Sequence, residues 1–339
     1  METIEMKSVV LGFSLVLLLQ ASLFSTEPEH IIFDTDISGD VDDVLALAML
    51  HTLADRGKCE LLAVTISKQN PLAAPFVDAV NTFYGRPDIP IGISKTAPFR
   101  ESKYLQLAKQ RDGGSLRYPR DVGISQSPEN AIDLLETVLK KARDKSVTIV
   151  QVGLAVNLSG LLQTESGPEL IRKKVKRLSV MAGAFTTIHD NNHYLEANVR
   201  NHVPSMRVLA EKWPDQVPVF WSGFAIGISV PYPRESIAHD FDYVNHHIVK
   251  EAYLLHSGPH HDRPSWDLTS ALFAVLPDRD YFQLSSPGRV IVEADGFTRF
   301  APGRTKRDRY LKIDPIQGAR VTEALVQFVS ENPLNNTIK

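Results

Sequence analysis

The sequence predicts an α/β fold: a largely parallel central sheet with helices on both faces, a Rossmann-like core. Short apolar runs of strand length alternate with segments whose apolar residues recur at helical spacing, and no linker-like change of composition interrupts the series. Residues 30–33 are one such run, closed by acidic residues, and read as a buried strand ending in a loop. Residues 41–53 follow with Val44, Leu45, Leu47, Ala48 and Leu50 at helical spacing. A second strand is predicted at 60–66, a helix at 75–84 stopped by Gly85-Arg86-Pro87, and a third short strand at 90–93. The polar stretch 100–128, rich in Gly, Arg and Ser, reads as an excursion over the surface. Beyond it come a helix at 128–145, a strand at 146–152 followed by Gly153, and a helix through Leu162. A strand at 175–181, a helix at 205–213, a strand at 217–221 and a helix at 266–276 ended by Pro277 complete the series. Ligands of such sheets sit at the carboxyl ends of the strands, so loops that follow strands are expected to carry the chemistry.

Composition narrows the function. The chain has 339 residues, 43% hydrophobic and 23% charged, with a formal net charge of -3. Disorder, collagen-like repeats and coiled coil are excluded on that basis. The missing basic excess argues against nucleic acid as a partner. The single cysteine, Cys59, allows no internal disulfide, and no CxxC or Cys/His zinc spacing exists, so thiol chemistry is set aside. Residues 1–25 place an apolar run over 9–19 ahead of small residues Ala21, Ser22 and Ser25, the pattern of a secretory signal peptide. Export follows as an expectation, to a periplasm or to the medium. No later segment approaches the ~20 apolar residues of a membrane span. The expected mature product is one catalytic domain over 30–335, without a membrane partner once the signal is removed.

Asp34, Asp36, Asp40, Asp42 and Asp43 place five carboxylates within ten residues. Bunched carboxylates repel one another unless solvated, protonated or bound to a cation. A helix start tolerates acidic residues because of its dipole, which accounts for two of the five and not for the rest. A hard divalent cation accounts for the cluster, and all-oxygen donors favour calcium, with magnesium second, over zinc. The EF-hand pattern fits Asp34, Asp36, Ser38 and Gly39 but needs Glu where Leu45 stands, and is rejected. A phosphatase of the haloacid dehalogenase type, with Asp34 as nucleophile, is the alternative; its later lysine and acidic pair find no convincing match.

Asp34-Thr35-Asp36 with Asp42-Asp43-Val44-Leu45-Ala46-Leu47 resembles the D-x-D…D-D-A-x-A-L signature of the inosine-uridine-preferring nucleoside hydrolase family. In that family the aspartates bind calcium, which holds the ribose diol and the attacking water. The resemblance implies Asp36 as calcium ligand and base toward the water, Asp43 as ligand, and Asp42 on the ribose hydroxyls. Asp34 would stand behind the ligands, and the lengthened loop leaves Asp40 without a role. After the second strand, Leu61 to Thr65 fits the family pattern and Asn70 becomes the ribose-contacting asparagine, although Lys68 and Gln69 replace small residues there. Residues 150–158 resemble the G-x-x-T-N turn, which makes the backbone carbonyl of Val152 a metal ligand.

Glu196-Ala197-Asn198 matches the E-x-N element, with Glu196 and Asn198 on the sugar hydroxyls, and Asn191 or Asn192 is a further sugar contact. The bland alternative for Asp190-Asn191-Asn192 is a turn, which such residues favour anyway. In Trp266-Asp267, Asp267 fits a calcium ligand while Trp266 replaces the histidine that protonates the leaving base. Tryptophan donates no acidic proton but stacks on a nucleobase. His261, beside His260 and Asp262, is the candidate acid. His189 and His193 are read as loop residues rather than zinc ligands, His246-His247 as surface, and Trp213 and Trp221 as core.

The implied reaction is hydrolysis of the N-glycosidic bond of a nucleoside or related ribosyl compound, through an oxocarbenium-like state attacked by water with inversion. The resemblance also implies a homodimer or homotetramer. A non-catalytic, calcium-dependent sugar- or nucleoside-binding protein is the other alternative.

Overall fold

Alternate residues of the first strand enter opposite apolar layers, Ile31 and Phe33 on one side and Ile32 on the other, all fully buried. That alternation is the period of a strand covered on both faces. A computed structural model describes residues 27–126 and 128–334; the signal segment over 1–25 lies outside them. The main strands are β1 (Glu29–Thr35), β2 (Cys59–Ile66), β3 (Ile91–Ile93), β4 (Glu129–Asn130), β5 (Val147–Gln151), β6 (Val175–Met181), β7 (Val219–Ser222), β8 (Gly288–Val292), β9 (Thr298–Pro302) and β10 (Asp308–Lys312). Their order is β9-β8-β10-β7-β6-β5-β1-β2-β3-β4. Pairing is parallel from β10 through to β4. It turns antiparallel only where β8, β9 and the short strand Gln283–Leu284 join the β10 edge.

The chain runs from β1 through β2 and β3 to β4 toward one edge, then resumes at β5 on the other side of β1. The crevice between the ends of β1 and β5 is therefore a topological switch point, where open α/β sheets bind ligands. Helices Asp42–Asp55, Ala73–Phe83, Ile248–Ser257, Trp266–Val275 and Pro315–Ser330 supply one apolar layer. Helices Ala131–Lys141, Val156–Leu161 and Val203–Lys212 supply much of the other. Each fully buried Leu, Ile, Val or Phe contributes ~1.5–3 kcal/mol relative to exposure.

Two sequence expectations are corrected. The stretch 100–128 is no mere surface excursion: Tyr104, Leu105, Leu107 and Ala108 of the 3-10 helix Tyr104–Lys109 are buried, as is Tyr118. The apolar residues among the polar ones anchor it, and the Tyr104 hydroxyl donates to the Asp40 carbonyl at 2.8 Å. His247 is buried rather than at the surface, because its ring caps helix Ile248–Ser257 and packs edge-on against Phe83 and Phe241. His246, its neighbour, stays exposed and pairs with Glu251. Trp213 and Trp221 lie in the core as expected.

Candidate active site

The carboxyl ends of β1, β2, β5, β6 and β7 surround a cavity of about 220 Å³. The loop after β1 brings Asp36 and Asp40 to it, and helix Asp42–Asp55 opens with Asp42 and Asp43 turned inward. That loop is strained: Ser38 adopts φ 138°, outside the regions open to ordinary L-residues. Helix Trp266–Val275 packs along helix Asp42–Asp55 and delivers Asp267, whose amide donates to Asp42 Oδ2 at 3.1 Å. One carboxylate oxygen from each of Asp42, Asp43 and Asp267 lies within 4.8 Å of the others. Gly153, after β5, makes this convergence sterically feasible. A Cβ there would stand 2.4 Å from the Asp36 amide nitrogen and 2.5 Å from the Asp36 Cβ. Gly153→Ala is expected to destabilise the chain by about 3 kcal/mol, the upper range of overpacking, read as a lower urea midpoint; an unchanged midpoint would contradict this packing.

All three converging carboxylates are buried. Burial pushes each well above the usual carboxylate range, and the neighbouring aspartates push in the same direction. Asp43 accepts from Thr35 Oγ1 through one oxygen, and its other oxygen, Oδ2, is buried without a hydrogen-bond partner. An orphaned anionic oxygen among like charges is costly unless a cation meets it. The residues therefore fit a hard divalent ion held by Asp42, Asp43 and Asp267. Asp34 lies behind them, fully buried, with Oδ1 accepting from Thr65 at 2.6 Å and Asn157 at 2.7 Å. Burial raises it to about 7. It does not line the cavity, so it is not placed to attack a phosphoryl group as the phosphatase alternative required.

The remaining sequence candidates separate. Asp36 and Val152 line the cavity, but both are engaged from within the chain: Asp36 Oδ2 lies 2.5 Å from Lys68 Nζ, and the Val152 carbonyl accepts from Asn198 Nδ2 at 2.7 Å. Glu196 and Asn198 also line it. Glu196 caps the short helix Ala197–Arg200, accepting from the amides of Asn198 and Val199 and from that of Gly183; burial raises it to about 7. Asn70 is not brought in, because its side chain bonds the Leu72 amide and the Arg100 carbonyl. Asn191 and Asn192 are exposed and outside the cavity, on a turn closed by Ile188 and Asn191, with His189 and Asp190 at φ 44° and 63°. His261 is exposed and does not line the cavity; its carbonyl accepts from the Tyr253 hydroxyl.

Trp266 does line it. Its indole N–H donates to the Phe224 carbonyl at 3.0 Å, and the two rings lie 5.2 Å apart as an aromatic wall. Gly227 gives the indole its seat, since a Cβ there would come within 2.3 Å of Trp266 Cδ1. Three cationic residues that line the cavity, Lys68, Arg100 and Arg263, had no role among the sequence expectations. Lys68 pairs with Asp36. Arg263 pairs with Asp40 through two nitrogens, which gives that aspartate a partner, and its guanidinium carbon lies 5.6 Å from the Trp266 ring centre. Lys68 is carried alongside Asp36 by the parallel register that sets Thr35 beside Ile66, and no local pattern announces Arg263, 223 residues from Asp40.

Asp36, Asp40, Asp42, Asp43, Glu196 and Asp267 all line this cavity, so the site is of the kind that works through carboxylates and a hard cation. The profile of the inosine-uridine preferring nucleoside hydrolases matches residues 31–325, and the chain belongs to that family. It is thereby placed among the N-glycosyl hydrolases, a metal-dependent group that cleaves nucleosides. No curated protein matches it. Among solved structures it is similar to a plant nucleoside hydrolase, PpNRh1, with a TM-score of 0.69 and 20% identity over 90% of this chain and 100% of that one. It is similar also to the inosine-uridine preferring nucleoside hydrolase from Bacillus anthracis, with a TM-score of 0.68 and 17% identity over 89% and 99%. The type III effector XopQ, complexed with adenosine diphosphate ribose, gives a TM-score of 0.68 and 13% identity over 90% and 95%. At these identities the likeness carries the fold alone.

Proposed function

We propose that the chain hydrolyses the N-glycosidic bond of ribonucleosides in a calcium-dependent reaction. The observation that carries this is the convergence of Asp42, Asp43 and Asp267, from two distant segments, at the floor of the cavity. Asp42, Asp43 and Asp267 would hold the calcium, which would supply Lewis acidity that eases the loss of a proton from water. Asp36 takes that proton as the water oxygen bonds to the anomeric carbon, and the bond to the base nitrogen breaks with its electron pair leaving on the base. Positive charge grows on the sugar as the bond lengthens, and the surrounding carboxylates stabilise it. Asp42 accepts from a ribose hydroxyl, and Glu196 and Asn198 border the sugar. The Phe224–Trp266 wall stacks on the departing base where the family's usual acid is missing. Attack by water from the face opposite the base inverts the anomeric centre.

A second reading keeps the chemistry and enlarges the substrate to a phosphorylated ribosyl compound. Arg100 and Arg263 on the cavity wall favour it, and XopQ was solved with adenosine diphosphate ribose. Release of free base, read by chromatography, is the test, from inosine, uridine and adenosine diphosphate ribose, with calcium and with chelator. The expected result is release from at least one substrate that is lost on chelation and restored by calcium. Tight binding of nucleoside with no release would instead favour the non-catalytic binding protein.

A further inference from the structure

Lys68 stands at the place in the cavity where an extra cation is least expected. The parallel pairing of β1 with β2 continues past Thr35 and Ile66, with the Ser67 amide donating to the Thr35 carbonyl at 2.8 Å, and so carries Lys68 alongside Asp36. Both side chains are enclosed, Lys68 at 5% and Asp36 at 10% exposure, and the ammonium lies 2.5 Å from Asp36 Oδ2. Gly39 leaves the pair its space: a Cβ at that position would sit 3.1 Å from Lys68 Nζ and 3.3 Å from Asp36 Oδ2. Among the described residues, Asp36 is the one of these four carboxylates with a cation of its own, whereas Asp42, Asp43 and Asp267 converge with no ion pair within 4.0 Å. The Val152 carbonyl is likewise satisfied, by Asn198.

We infer that Lys68 is an internal counter-ion that competes with the divalent cation for Asp36, so that the acidic cavity exchanges between a Lys68-paired and a metal-bound state. The inference rests on the metal reading above. A buried carboxylate that must surrender one cation to accept another holds the second less tightly than a free one. The lysine thus keeps Asp36 paired when metal is scarce, at the expense of metal affinity.

The test is a calorimetric titration of the full chain with calcium chloride, for wild type, Lys68→Met, Asp36→Asn and the double variant. Lys68→Met is expected to tighten calcium binding by at least about tenfold, 1.4 kcal/mol. In the Asp36→Asn background the same change is expected to have a markedly smaller effect, because the competition acts through that carboxylate. If Lys68→Met does not fold without calcium, the calcium dependence of its melting temperature reads the same affinity. Unchanged or weaker binding by Lys68→Met, or an equal gain with and without Asp36, overturns the inference. No calcium binding by any of the four proteins overturns the metal reading itself, and the inference with it.

Discussion

Asp36→Asn is expected to lower kcat for nucleoside hydrolysis by about 10³-fold, the middle of the range for loss of a positioned general base. The amide is isosteric with the carboxylate but accepts no proton at neutral pH. Its carbonyl oxygen still accepts from Lys68, which lies 2.5 Å from Oδ2, so the fold is expected to persist and KM to change much less than kcat. A loss confined to the chemical step is the signature of an interaction made in the transition state. Circular dichroism checks the fold, and initial rates on inosine or uridine across a calcium series check the step. Near-normal turnover by this variant would remove Asp36 from the mechanism.

Asp267→Asn should separate stability from function with opposite signs. Asp267 is buried beside Asp42 and Asp43, and mutual repulsion adds to the cost of burying all three. Neutralising one relieves that repulsion, so the metal-free variant is expected to be more stable than wild type by ~1 kcal/mol, as happens when a strained functional site is relaxed. The same change removes a cation ligand. Activity is expected to fall by about 10³-fold or more, and the rise of melting temperature with calcium to disappear. Thermal melts with and without calcium check both signs. A variant less stable without calcium, yet still stabilised by it, would mean that Asp267 serves packing rather than the ion.

Much of this molecule was legible because its parallel strands are buried on both faces. Residues 31–33 are an unbroken apolar run in the central strand β1, and Val175, Leu178, Val180 and Met181 keep β6 mostly apolar around Lys176, Arg177 and Ser179. The antiparallel edge was harder: β8 and β9 mix Arg289 and Arg299 with apolar residues, so neither the run nor a clean alternation survives. The site divides along the same line. Asp42 and Asp43 open a helix and Asp267 opens another, and residues at element ends announce themselves through sequence signals. The sugar-side asparagines rested on short polar motifs, and such motifs also make turns: Asn191 lies on one, while Asn70 braces the Leu72 amide and the Arg100 carbonyl. His261 sat close to Trp266 in sequence, but it is exposed and does not line the cavity. Lys68 and Arg263 enter through long side chains from separate strands and loops, a pairing that only tertiary structure makes visible.

The most direct measurement is a crystal structure of the chain grown with calcium and ribose, with anomalous scattering used to locate the ion. The account predicts a single strong site among the side chains of Asp42, Asp43 and Asp267, with Asp36 drawn from Lys68 toward the ion and the sugar hydroxyls resting on it. An ion bound elsewhere, or a ribose seated in the cavity with no ion among those three aspartates, would contradict it.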